Sequence, residues 1–131
     1  MQEEVALWFG PEGTHTSLHH DKNNNLLIQV HGRKRVYLVS PAQTPLLYNT
    51  TLCFSPIDLS CPDLERYPLA EHIQPYEVEL NAGDALFIPA GWWHQIESLS
   101  ISINLSMTHF KVDNGFPDPG SLMGLRPVPS D

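Results

Sequence analysis

The sequence predicts an all-β fold, a jelly-roll barrel of two facing four-stranded sheets, on three observations. Short runs rich in Val, Ile, Leu and aromatic residues recur between Gly, Pro and Asn signals. Regular helical periodicity is hard to find, and eight strand-like runs suit two sheets of four. In order they fall at about 5–10, 16–21, 25–31, 34–39, 76–80, 84–89, 92–98 and 101–108.

Turn chemistry separates these runs. Gly32 sits at one tight turn and Asn81-Ala82-Gly83 at another. The strand at 34–39 is apolar on both faces, as in Val36 and Leu38 with their neighbours. The last strand alternates: Ile101, Ile103, Leu105 and Met107 form one face, and Ser102, Asn104 and Ser106 the other. A polar face turned inward implies a lined pocket at the barrel mouth.

Residues 40–75 hold six of the twelve prolines and show no strand pattern, so they read as a long connection over a sheet edge or the pocket mouth. Pro62-Asp63-Leu64-Glu65-Arg66 within it suits one helical turn, with proline first and acids early. The barrel therefore spans 1–110. The tail at 111–131, with four prolines and three glycines, is expected to be loosely ordered.

At 131 residues the chain has room for one core. Seven Lys plus Arg against fifteen Asp plus Glu give a net charge of -8, which argues against a general nucleic-acid surface. Residues 1–5 lack a positive start, and no apolar run reaches membrane-spanning length, so the expectation is a soluble chain without a membrane partner, cytoplasmic or, in a eukaryote, nuclear. Cys53 and Cys61 are spaced unlike a CxxC motif and read as reduced thiols.

The chemistry centres on Thr16-Ser17-Leu18-His19-His20-Asp21. If this stretch is one extended strand, His19 and Asp21 share a face and His20 points the other way. Thr16 has the opposite parity to His19, so both can face the interior only across a bend or bulge. A third ligand fits at His94, in a run from Gly83 through Pro89-Ala90-Gly91 to His94 that sets a strand, a turn and a histidine together. Two His and one carboxylate suit Fe(II) held on one face, with three positions left open. Trp92 shares parity with His94 and Trp93 faces outward. His15, His31, His72 and His109 read as structural or surface residues, and Asp84 as a turn residue.

This joint pattern resembles the cupin superfamily, and within it the JmjC-type Fe(II)/2-oxoglutarate oxygenases, over about residues 5–110. Asn25-Leu26-Leu27-Ile28-Gln29-Val30-His31-Gly32-Arg33-Lys34-Arg35 looks like that family's segment from the metal strand to its cosubstrate lysine. The small asparaginyl and arginyl hydroxylases are the most similar type, and Ser60 to Pro68 resembles the arginyl type's connection. The resemblance implies a double-stranded β-helix that binds Fe(II) through His19, Asp21 and His94. It implies that Lys34 binds the distal carboxylate of 2-oxoglutarate, with help from Thr16, Asn25 and Asn104. The reaction implied uses O2, releases succinate and CO2, and hydroxylates or demethylates a protein or peptide side chain, or a small molecule. A metal-binding cupin without 2-oxoglutarate is the alternative. Such cupins more often present His-x-His with a later Glu, whereas Asp21 is followed here by Lys22-Asn23-Asn24-Asn25. In larger relatives an N-terminal region covers the barrel's apolar outer face. Here the expected cover is a further segment, the tail or a second copy in a homodimer.

Overall fold

A computed structural model describes residues 5–49, 51 and 53–110. The expectation of a loosely ordered tail falls on 111–131, outside the described residues, and so do Met1 to Glu4. Eight strands form: β1 Val5–Gly10, β2 His15–His19, β3 Asn24–His31, β4 Lys34–Val39, β5 Tyr76–Leu80, β6 Ala85–Ile88, β7 Trp93–Ser98 and β8 Ser102–Phe110. They make two antiparallel sheets in the orders β1-β8-β3-β6 and β2-β7-β4-β5. The expected jelly roll is the fold.

Two clusters share the apolar burial, one on each side of the second sheet. Between the sheets, Leu27, Val36, Leu38, Leu80 and Ile88 close the barrel interior, with Trp92 packed against them. On the outer side, Val39, Trp93 and Leu18 pack beneath the long connection, which contributes Leu47, Ile57 and Ala70. Trp93 therefore points away from the barrel yet is buried. The connection is built from 3₁₀ turns at Pro41–Leu46 and Pro68–His72. Between them the Tyr67 N–H donates to the Asp63 carbonyl and the Arg66 N–H to the Asp63 carboxylate, which makes a single turn that starts at Asp63, with Pro62 before it and not at its first position.

The other sheet is asymmetric. Cross-strand partners share a face, and the pairs Leu7 with Leu105, Ile28 with Leu105, and Leu26 with Phe87 stack one apolar surface on its outer side. Phe9 is 74% exposed there. Its inner side carries Ser102, Asn104, Ser106 and Gln29, all buried.

One backbone position fixes the tight turn between the sheets that delivers Lys34. Gly32 has φ +74°, and a Cβ there would lie 2.0 Å from the Ile101 carbonyl oxygen. Both the handedness and the close approach require glycine. Gly32→Ala should therefore lower stability by roughly 1–3 kcal/mol or more, read as a lower urea midpoint with an unchanged slope. An unchanged midpoint would show that the β3–β4 turn is not held against Ile101.

Candidate metal centre

A bulge in β2 sets the site. Thr16 pairs with Ile96 and His19 with His94, and the register shifts between them, so Thr16 and His19 both line the barrel cavity despite their opposite parity. The expectation of two ligands on one strand needs correcting. β2 ends at His19, and Asp21 lies beyond it in the loop to β3. That loop is strapped to the turn before β7: the Gly91 N–H donates to the Asp21 carbonyl at 2.9 Å, and the Ala90 N–H to Asn24 Oδ1 at 2.8 Å. Gly91 has φ +83°, the left-handed conformation that lets the turn present its N–H to the loop.

The three side chains converge. One ligand atom from each of His19, Asp21 and His94 lies within 4.8 Å of the others. Each histidine ring is held by its other nitrogen, with His19 Nδ1 2.7 Å from the Ser17 carbonyl and His94 Nδ1 3.0 Å from the Trp92 carbonyl. A carbonyl only accepts, so each Nδ1 carries the proton and each Nε2 presents a lone pair. These lone pairs face Asp21 Oδ2 at 3.8 and 3.4 Å. Three acceptors aimed at one point repel unless a cation stands between them, which is the donor set a divalent transition metal needs.

Burial differs across the three and leaves one side open. The His94 side chain is 3% exposed, whereas that of Asp21 is 46% exposed. Burial, then the neighbouring His94, pulls the His19 imidazole below its usual range. The neighbouring His94 imidazole, acting against burial, holds the Asp21 carboxyl below the usual carboxylate range. Both shifts favour the ligating forms at neutral pH.

The metal-side residues open into a cavity of about 540 Å3, and the other predicted residues line it too: Thr16, Asn25, Lys34 and Asn104. Lys34 Nζ donates to Asn104 Oδ1 at 2.6 Å across the gap between the sheets. Burial lowers its pKa, and no carboxylate among the described residues pairs with it. Its flanking residues differ, since Arg33 pairs with Glu79 and Arg35 with Glu77 at the surface. Asn25 Oδ1 is buried without a hydrogen-bond partner. An ammonium with no carboxylate partner on β4 and an orphaned amide oxygen on β3 suit a polar guest whose anionic end meets Lys34.

His20 points away from the centre, as expected, and meets the Trp93 ring edge-on at 4.6 Å. Three contributing residues were not singled out from sequence. Asn24 straps the two ligand loops, Gln29 ties β3 to Ser102 on β8, and Phe54 lies against His19 at a ring separation of 6.1 Å. Only Asn24 had a local signal, the Asn run after Asp21.

The cupin-like domain family's profile matches residues 1–111. The chain belongs to that family. It is 42% identical to human HSPB1-associated protein 1 over 112 residues, covering 78% of this chain and 23% of that protein. It is 41% identical to JmjC domain-containing protein D of Dictyostelium discoideum over 107 residues, or 78% and 24% of the two chains. It is 40% identical to lysine-specific demethylase JMJ31 of Arabidopsis thaliana over 109 residues, or 76% and 20%. The chain thus spans about a quarter or less of these relatives.

Metal analysis should find one divalent ion per chain in the wild type and a large loss in Asp21→Ala. Because the His19 imidazole titrates below its usual value of about 6.5, affinity should stay level through neutral pH and fall only on the acid side of that value, as protons claim Nε2. Equal metal content in both proteins would remove Asp21 from the centre.

Proposed function

We propose that this chain is an Fe(II)- and 2-oxoglutarate-dependent oxygenase domain that hydroxylates a protein side chain, with release of succinate and CO2. The observation that carries this reading is the pairing of two elements in one cavity. Two imidazoles with Nδ1 locked on backbone carbonyls turn Nε2 toward Asp21, and Lys34 offers an ammonium without a carboxylate partner. The JmjC names of the relatives support the same reading, and the name of the Arabidopsis protein makes demethylation the neighbouring reaction.

Bound iron with 2-oxoglutarate would supply the oxidising chemistry, taking O2 as co-reactant. The protein's share follows from its own residues. His19, Asp21 and His94 would occupy one side of the metal and leave the other to the keto acid and O2. Lys34 Nζ would hold the distal carboxylate, with Asn104 keeping the ammonium aimed into the cavity and Thr16 adding a hydroxyl. Asn25 would offer its amide N–H to the keto acid end of the bound ligand. The inner apolar cluster beneath would exclude water from the cavity floor.

Lys34 separates this reading from a cupin that uses metal alone, because its charge matters to a dicarboxylate and not to the metal. A charge-assisted hydrogen bond contributes roughly 1.5–3 kcal/mol, so Lys34→Ala should weaken 2-oxoglutarate by about tenfold to over a hundredfold. Calorimetric titration of metal-loaded wild type and variant checks it, with metal content unchanged. Equal binding, or none by either protein, would favour the metal-only cupin.

A further inference from the structure

Among the described residues no strand pairing closes the barrel between β1 and β2, which end their two sheets on the side where residues 11–14 join them. At one end of this seam the strands touch. A Cβ on Gly10 would lie 2.9 Å from Thr14 Oγ1, which is itself held on the Pro11 carbonyl at 2.8 Å. Gly10 pairs with Ser102, Trp8 with Asn104 and Ala6 with Ser106, so these three residues of β1 share the polar inner face of the first sheet. The next inward residue along the seam is therefore Trp8.

Trp8 is fixed there by its side chain as well as its backbone. Its Nε1–H donates to Ser106 Oγ at 2.9 Å, past its own partner Asn104 to the next inner residue of β8. Such a diagonal neighbour lies about 7–8 Å away, within reach of an aromatic side chain. Ala6, opposite Ser106, is small enough to leave room for the indole. Ser106 is buried, whereas Trp8 is 58% exposed and lines the cavity. The ring thus covers the β1 side of the cavity from the level of Asn104 to that of Ser106.

Those levels lie between Lys34 and the metal centre. Asn104 holds Lys34 at the first. At the second, Leu27 pairs with Ser106 and Ile96 with Thr16, and beyond it His19 pairs with His94. A dicarboxylate that reaches from Lys34 to the metal must pass the indole. With its one N–H taken by Ser106, the ring has only apolar surface to offer, which matches methylenes and not carboxylates. Leu27 and Ile96 line the same stretch.

We propose that Trp8 is a cosubstrate-contacting residue that walls the seam beside the methylenes of 2-oxoglutarate and restricts the pocket to unbranched dicarboxylates. The proposal deepens the oxygenase reading and rests on it for the identity of the dicarboxylate. A branch turned toward the seam meets the indole, and the hydrogen bond to Ser106 keeps the ring from swinging out to admit it.

The test uses the full chain loaded with zinc, a redox-inert stand-in, and titrated by calorimetry with 2-oxoglutarate and with 4-methyl-2-oxoglutarate. The indole N–H resonances are followed by NMR, and Trp8→Phe assigns that of Trp8 by its loss. 2-Oxoglutarate should shift the Trp8 resonance and leave in place that of Trp93, which donates to Thr44 on the outer side of the second sheet. Wild type should bind the methylated acid about tenfold or more less tightly than 2-oxoglutarate. Trp8→Ala, and Ser106→Ala, which frees the ring, should each narrow that ratio. A Trp8 resonance unmoved by bound 2-oxoglutarate, or one ratio in wild type and Trp8→Ala, would overturn the wall and leave the oxygenase reading standing. No binding of 2-oxoglutarate by the wild type would remove the oxygenase reading and the wall with it.

Discussion

Two backbone donors in the Pro89-Ala90-Gly91 turn hold the site together. Ala90 and Gly91 give their N–H groups to the loop that carries Asp21, one to the Asn24 side chain and one to the Asp21 carbonyl. His94 follows that turn on β7, beside His19 on β2. The strap therefore brings the loop carboxylate to the two strand imidazoles. Without it Asp21 would sit on a free loop, and its half-exposed carboxylate would have little reason to stay near the imidazoles. Both hydrogen bonds satisfy backbone N–H groups of the turn that need a partner in any case, so the site geometry is coupled to the fold itself.

The barrel divides its labour between sheets. The second sheet is covered on both faces, by the inner cluster and by the connection, and it presents His19, His94 and Lys34 from strands that have little freedom to move. The first sheet supplies Asn25 and Asn104 from a polar inner face and turns an apolar face outward. Burying Gln29, Ser102, Asn104 and Ser106 costs free energy that an all-apolar core would not incur. Their hydrogen bonds to one another and to Lys34 offset part of it. Of the two oxygens left without a partner, Gln29 Oε1 and Asn25 Oδ1, that of Asn25 belongs to a residue of the cavity wall and marks where the wall awaits another partner.

Much of this was legible from the sequence because period and punctuation agree with the fold. The alternation of Ser102, Asn104 and Ser106 with Ile103 and Leu105 gives the inner face of β8 directly, and the opposite parity of Thr16 and His19 demands the bulge that β2 contains. Asp21 does lie beside the two histidines, but not by strand parity, since it sits past the end of β2 and reaches them through the strap. Phe54 was not legible. Its neighbours Cys53, Ser55 and Pro56 show no alternation, and its partner is an edge residue 35 positions earlier, a pairing that only the folded connection reveals. The outer core was hidden similarly, because Leu47, Ile57 and Ala70 are scattered singly among prolines.

The central claim is that one cavity holds a metal on imidazole Nε2 atoms and a dicarboxylate on Lys34. A crystal structure of the protein with Mn(II) and 2-oxoglutarate, grown without oxygen, tests it most directly. The account predicts the ion on His19 Nε2, His94 Nε2 and an Asp21 carboxylate oxygen, with both Nδ1 atoms still on the Ser17 and Trp92 carbonyls. It predicts the distal carboxylate of 2-oxoglutarate within hydrogen-bond reach of Lys34 Nζ. An ion held elsewhere, or a dicarboxylate bound away from Lys34, would contradict it.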